Sequence, residues 1–202
     1  MQKLFEHLKL VHQHRKYVRK ICFKMGIFWR GIVHDLSKYS IQELKIAKYY
    51  NGNKSPHQQC RDEIGYSPSW IHHKHKNKHH YQYWQDDDED NKIIPIKMPY
   101  KYCIEMFCDM VGAGMAYLKD KWNTSSPIEY WGKHCIGKAI IHEETISLMN
   151  TLFSILKQYN TIDEFYFWYK KHKKEIKKRY EKHVLLLGCV MFIIIDKKAE
   201  IV

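Results

Sequence analysis

The segment 99-PYKYCIEMFCDMVGAGMAYL-118 decides the fold class, because its apolar residues recur with the period of an α-helix. Pro99 suits the first helical turn, where its missing N–H group would have had no partner within the helix. Asp109 stands mid-segment among apolar neighbours, where a carboxylate is costly unless it is paired or bound to a cation. We therefore predict a buried helix whose one central acidic group accepts hydrogen bonds or binds a metal ion.

The segments on both sides repeat the helical period and together predict a single all-α domain of about seven helices. The first predicted helix covers residues 2–25 and ends near Gly26. The others are predicted at residues 27–34 continued over 41–50, at 70–84, at 99–118, from 126 onward, at 143–159 and at 162–182. Strand patterns are nearly absent before residue 184, which argues against a β-sheet fold.

Two serines mark predicted helix starts. Ser40 precedes 41-IQELKIAKYY-50, and Glu43 follows it at the spacing of a capping box, so Glu43 is interpreted as a capping residue or as a catalytic one. Ser69 is the predicted N-cap of the helix at 70–84, which contains no Gly or Pro. Loops are predicted at residues 51–59, over the acidic run 86–90 and at 94–99.

The net charge bears on the choice of partner. The 202 residues include 34 Lys and Arg against 22 Asp and Glu, a formal charge of +12, while 45% apolar residues exclude a wholly disordered chain. Such an excess favours nucleotides, nucleic acid or a membrane surface as partners. Part of it lies in 170-KKHKKEIKKRYEKH-183, which is either a solvated surface or a nucleic-acid contact.

The apolar run 184-VLLLGCVMFIII-195 separates a predicted helical domain, residues 1–183, from a hydrophobic C-terminal tail, residues 184–202. A spanning helix needs about twenty apolar residues, so no membrane span is predicted. The run is interpreted as a buried strand or a homodimer contact, with a surface anchor as the alternative. No secretory signal and no C-x-x-C pair is present, so we expect a cytoplasmic protein without disulfides.

The placement of the fourteen histidines carries the functional argument. His34 and Asp35 are adjacent, so one helix end can offer an imidazole and a carboxylate to a pair of metal ions. His14 precedes them on another predicted helix, where His7 and His12 compete with it as the first ligand. A His-Asp pair alone is common by chance, but together with Asp109 on a third helix it predicts a metal site.

The segment 72-HHKHKNKHH-80 contains two pairs of histidines seven residues apart, which is two helical turns, so each pair lies near one side of the predicted helix. The pairs are His72 with His79 and His73 with His80. Imidazole together with carboxylate oxygen suits Zn, Mn, Fe or Ni, and the absence of Cys argues against a structural zinc finger. A His-rich surface or a nucleic-acid contact is the alternative.

These motifs carry two resemblances. The order of His14, His34-Asp35 and Asp109 resembles the ligand pattern of the HD superfamily of metal phosphohydrolases, and 34-HDLSK-38 resembles its version in which the lysine faces a substrate phosphate. Residues 10–150 also resemble an uncharacterised family of bacteria and their phages. The first resemblance implies an HD-like helical bundle that holds divalent metals, and the second supports the fold more than the reaction.

The resemblance implies an assignment for each residue of the site. Two divalent ions would share Asp35, with His14, His34 and Asp109 on one ion. The other ion would take some of His72, His73, His79 and His80. Lys38 and Lys78 would neutralise phosphate oxygens, and a histidine that is not a ligand, such as His79, would protonate the leaving oxygen.

Three functions follow from this reading. The first is a phosphomonoesterase or phosphodiesterase that acts on a nucleotide, with a signalling nucleotide as one candidate substrate. The second is an HD-type di-iron oxygenase that uses the same metal site. The third is a non-enzymatic nucleic-acid-binding protein whose contact is residues 170–182.

Overall fold

The computed structural model describes residues 2–52 and 54–182, and within these residues the chain is mostly helical. The helices are α1 (Gln2–Met25), α2 (Phe28–Val33), α3 (Ile41–Leu44), α4 (Pro56–Ile64), α5 (Pro68–Lys76), α6 (Tyr100–Leu118), α7 (Ser126–His134), α8 (Glu143–Leu156) and α9 (Ile162–Glu181). Short 3-10 turns lie at Leu36–Tyr39, Lys45–Tyr49, Tyr81–Tyr83 and Lys119–Lys121. The all-α prediction is confirmed, with nine helices over the described ranges instead of about seven.

The core forms where α6 meets its neighbours. The ring of Phe107 on α6 lies 5.1 Å from that of Phe153 on α8 and 5.3 Å from that of Phe165 on α9. On the opposite side α6 packs along α1, where Val18 and Cys22 are fully buried. The predicted apolar face of α6 is therefore the centre of the domain, and Asp109 lies on the same helix beside that core.

The predicted helix at 70–84 is shorter than expected. Helix α5 ends at Lys76, and the Asn77 side chain donates to the carbonyl oxygen of His73 at 2.8 Å, a local bond that competes with further helix. Its N-cap is Ser67 and not Ser69, because Pro68 occupies the first turn, whereas the Ser69 hydroxyl donates to the carbonyl oxygen of Gln42. The seven-residue pairing of histidines on one helix face is therefore wrong.

Two predicted loops contain regular structure. Helix α4 begins at Pro56 within the predicted loop at 51–59, and Ser55 caps it by accepting from the backbone N–H of Gln58. The start of the acidic run, Asp86 and Asp87, lies in a small antiparallel hairpin, in which β1 (Gln85–Asp87) pairs with β2 (Ile93–Pro95). Both elements are so short that their residues show no readable periodicity.

Part of the sequence interpretation lies outside the described residues. The tail at 184–202, with its predicted strand or dimer contact, belongs to this part of the chain. Among the helices of the ranges 2–52 and 54–182, none has the length and apolar content to cross a membrane. The cysteines within those ranges are buried and unpaired.

Gly112 is required by the close approach of α1 and α6. A Cβ atom there would lie 2.6 Å from Cγ2 of Val18 and 3.1 Å from its backbone nitrogen. We expect Gly112→Ala to lower the free energy of unfolding by about 1–3 kcal/mol through overpacking. The matched control is Gly132→Ala on α7, where an added Cβ meets nothing within 4 Å among the described residues, so helix propensity should raise stability by about 0.5–1 kcal/mol. Urea unfolding measures both, and equal effects would contradict the packing argument.

Candidate metal centre

The His34-Asp35 pair lies at a sharp change of backbone direction. Helix α2 ends at Val33, and Asp35 adopts a left-handed conformation with φ 55° and ψ 24° before the 3-10 turn Leu36–Tyr39 begins. Aspartate tolerates this region better than most residues because its side chain is short and polar. Both side chains of the pair are buried in the interior, each about 1% exposed.

A first donor group surrounds one oxygen of Asp35. The Nε2 atom of His14 lies 3.3 Å from Oδ2 of Asp35 and 3.1 Å from Oδ1 of Asp109. The Nε2 atom of His34 lies 3.5 Å from the same Asp35 oxygen and 3.3 Å from the same Asp109 oxygen. One ligand atom from each of these four residues lies within 4.8 Å of the others, so they could hold one metal ion.

A second donor group surrounds the other oxygen of Asp35. The Nε2 atoms of His73 and His79 lie 3.3 and 3.4 Å from Oδ1 of Asp35. His80 completes the group, again with donor atoms within 4.8 Å of one another. His73 comes from α5, while His79 and His80 follow the end of that helix. Asp35 thus turns one carboxylate oxygen toward each group.

Several buried atoms of these groups lack a well-aligned hydrogen bond to the described residues. They are both carboxylate oxygens of Asp35, both ring nitrogens of His79 and Nε2 of His80. Ring nitrogens stand close to the Asp35 oxygens but are misaligned for hydrogen bonding. Buried polar atoms are rarely left in this state, and a bound cation is one common explanation. The donor set of imidazole nitrogens and carboxylate oxygens fits a divalent transition metal.

Glu105 orients His34 and lies close to His79. Its Oε1 atom lies 3.1 Å from Nδ1 of His34 and 3.4 Å from Nδ1 of His79, and its Oε2 atom accepts from Nε of Arg30 at 2.6 Å. A carboxylate on the far nitrogen of a ligating histidine fixes the ring and raises its basicity. Sequence reasoning missed Glu105, although it lies one helical turn before Asp109 and so shares its face.

Glu43 is the carboxylate that orients a histidine of the second group. Its Oε2 atom lies 2.7 Å from Nδ1 of His73, and its Oε1 atom lies 3.0 Å from Nδ1 of His72. Ser40 caps α3 as predicted by accepting from the backbone N–H of Glu43. The Glu43 side chain is buried against the histidines, so only this half of the proposed capping box is observed.

Electrostatics keep four groups of the site, two carboxylates and two histidines, in a protonation state suited to a cation. Burial favours the neutral acid, but the charges of His34, Lys38 and His73 together outweigh it and hold the pKa of Asp35 well below its usual value. Hydrogen bonds from histidine rings likewise hold the pKa of Asp109 low against burial. Burial lowers the pKa of His79 and His80. Metal ligands need anionic carboxylates and neutral imidazoles, and these four groups meet that need at pH 7.

The rings of His73 and His34 behave differently. Burial by itself lowers the pKa of His73, but the charge of Asp35 and hydrogen bonds to Asp35 and Glu43 raise it. The His34 ring follows the same pattern. Burial by itself lowers its pKa, but the charge of Asp35 and hydrogen bonds to Asp109 and Glu105 raise the pKa to about 10. When these carboxylates are its only partners, the His34 ring is therefore protonated at pH 7. A cation that binds to Nε2 of His34, the nitrogen that faces Asp35 and Asp109, would displace that proton.

The remaining predicted residues lie at different distances from the two groups. Lys38 is adjacent, with Nζ 3.0 Å from Oδ2 of Asp35. His72 is not a member of either group and contacts Glu43. Lys78 is exposed, and its ammonium lies over the ring of Tyr83. Of the competitors of His14, His12 is exposed and His7 is buried near Tyr50, so neither joins a donor group.

Comparison with known proteins identifies a family but no activity. Residues 3–157 match the model of a family of unknown function, DUF5662, and the chain belongs to this family. No curated protein and no solved structure matches the chain. The match covers all residues of both donor groups. An assignment to the HD superfamily stays a prediction from the sequence motifs.

Proposed function

We propose that this member of the DUF5662 family is a metal-dependent phosphohydrolase, a phosphomonoesterase or phosphodiesterase, that acts on a nucleotide. The observation that carries the proposal is the position of Asp35 between two groups of ligand atoms, with a different carboxylate oxygen toward each. A shared carboxylate is the arrangement expected for two neighbouring divalent ions. His14, His34 and Asp109 would hold one ion, and His73, His79 and His80 the other.

Lys38 marks the side from which an anionic substrate would reach the site. Its side chain is 24% exposed and that of Asp109 is 17% exposed, whereas the side chains of His14 and Asp35 are at most 8% exposed. The charges of Asp35 and Asp109 outweigh burial and raise the pKa of Lys38, so it is cationic at neutral pH. A lysine at the open edge can bind a phosphate oxygen and position the phosphoryl group.

The metal ions and the side chains would have separate roles in the reaction. Divalent ions supply an activated water at neutral pH and neutralise charge that develops on the phosphoryl oxygens. Glu105 holds the ring of His34 in place, and Glu43 holds that of His73. The structure argues against His79 as the general acid, because its ring is fully buried and belongs to both the second donor group and the Glu105 contact. We assign His79 to metal binding instead.

The same donor groups also fit a di-iron oxygenase. The observation in favour is the high share of imidazole, with three histidines beside Asp35 in the second group, since imidazole suits iron, whereas manganese prefers oxygen ligands. Lys38 favours the phosphohydrolase over the oxygenase, because an ammonium group at the open edge can bind a phosphate substrate. Iron content and oxygen consumption separate the two functions.

Elemental analysis followed by a nucleotide panel tests the proposal. We expect about two divalent ions per chain, and phosphate or nucleotide release in Mn²⁺ without oxygen consumption. Iron at about two per chain with oxygen consumption would replace the proposal by the oxygenase. A protein that binds no metal and releases nothing, but binds nucleic acid through α9, would contradict both enzymatic functions.

A further inference from the structure

A second polar feature lies on the other side of the His34-Asp35 backbone. A cleft of about 230 Å³ opens between α1 and the segment that runs from α2 to the following 3-10 turn. Its lining residues are His12, Arg15, Lys16, Arg19, Gly31 and Tyr39. Three of these are permanent cations, and none is acidic.

Arg15 is fixed in the wall of this cleft by neutral partners. Its Nε atom donates to the carbonyl oxygen of His34 at 2.8 Å, and its two terminal nitrogens donate to Ile32 O and to the hydroxyl of Tyr39 at 3.1 and 3.0 Å. Carbonyl and phenol oxygens satisfy hydrogen bonds but do not neutralise the guanidinium charge. Because the Tyr39 oxygen accepts from Arg15, its own proton remains available to a ligand.

The other two cations add to this uncompensated charge. Within residues 2–52 and 54–182, no carboxylate lies within 4 Å of a charged nitrogen of Arg15, Lys16 or Arg19. On α1, Arg19 lies four positions after Arg15 and three after Lys16, so the three side chains share one side of the helix. A concave surface lined by one sign of charge concentrates anions of the opposite sign.

We infer that this cleft binds a single phosphoryl group, either as free phosphate or as the phosphate of a small ester. Guanidinium, ammonium and phenol donors converge there, and a tetrahedral dianion can accept from all of them. The volume is below the roughly 300–1,000 Å³ of pockets that enclose drug-sized ligands, which favours one phosphoryl group over an enclosed nucleotide. The inference does not depend on the proposed hydrolase activity.

The cleft is separate from the metal centre but connected to it. Arg15 holds the backbone carbonyl of His34, whose ring belongs to the first donor group on the opposite side of α1. An anion on Arg15 therefore acts on the same peptide segment that positions the His34-Asp35 pair.

Calorimetric titration of the metal-loaded protein with inorganic phosphate, at constant ionic strength, tests the inference. We expect saturable binding whose Kd rises about tenfold in Arg19→Gln, the loss of one charge-assisted contact. The matched control is Lys20→Gln, which removes the same charge from the next position on α1 but does not line the cleft, and it should change Kd less than about twofold.

Three other results would overturn the inference. Equal Kd values in Arg19→Gln and Lys20→Gln would place phosphate at the metal ions alone. If the wild-type protein shows no saturable binding of phosphate, the cleft is not a phosphate site. If only a short single-stranded oligonucleotide, and not phosphate, responds to Arg19→Gln, the cleft is part of a nucleic-acid surface and not a single-phosphoryl site. Circular dichroism of both variants verifies that the fold is retained.

Discussion

Asp35→Asn is expected to remove bound metal and to lower phosphate release by at least about a thousandfold, more than the 10–100-fold typical of residues that only orient ligands. Asp35 is the member common to both four-residue donor groups. Asparagine replaces one oxygen with an amino group and removes the negative charge that both ions would share. It also tolerates the left-handed backbone at φ 55°, so the substitution tests ligation and not local geometry.

Thermal unfolding with and without Mn²⁺ separates loss of metal from loss of fold. A ligand that binds the native state raises Tm, so Mn²⁺ should stabilise the wild type and leave Asp35→Asn unchanged. The control is Asp120→Asn, an exposed carboxylate outside all donor groups, which should keep metal content and activity. An Asp35→Asn protein that still holds two ions would contradict the shared-carboxylate arrangement.

The first donor group was predictable because His14 and Asp109 lie on well-defined helices and His34 and Asp35 are adjacent in the sequence. Buried carboxylates are costly, so Asp109 amid apolar residues already indicated a partner, and the adjacent His34 and Asp35 indicated a cation. The structure brings these residues together with His14. Their roles as ligands stay a prediction until metal is measured.

The second group was predicted from partly wrong geometry. His73, His79 and His80 were chosen as residues on one helix, yet α5 ends at Lys76 and the last two lie beyond it. Helical periodicity does not reveal this, because the break depends on Asn77, whose side chain takes the His73 carbonyl. Only tertiary packing brings both segments back to Asp35.

The orienting carboxylates show a different limit of sequence reasoning. Glu43 was assigned by local spacing to a cap, but its side chain is turned toward His72 and His73 because burial requires a partner. Glu105 stood within the quoted central helix, and its spacing of four from Asp109 was available but unused. A residue that only orients a metal ligand does not belong to a sequence motif by which it could be recognised.

Lys38 and Lys78 were both predicted as phosphate contacts, and they lie at different distances from the donor groups. Lys38 lies 3.0 Å from Asp35, whereas Lys78 is exposed beside Tyr83. We expect Lys38→Gln to lower kcat/KM for a nucleotide substrate about a hundredfold, the usual effect of removing one preorganised donor from a phosphoryl or oxyanion site. Lys78→Gln should change kcat/KM less than about twofold, because an exposed charge is screened by solvent.

The metal content of the two variants makes this comparison decisive. Lys38 competes with a cation for Oδ2 of Asp35, so its removal should leave metal affinity unchanged or raise it. A Lys38→Gln protein that loses its metal would show that the lysine supports the site structurally. One that keeps both metal and full kcat/KM would show that no phosphate is bound at this edge, and the phosphohydrolase proposal would then lose its main argument over the oxygenase.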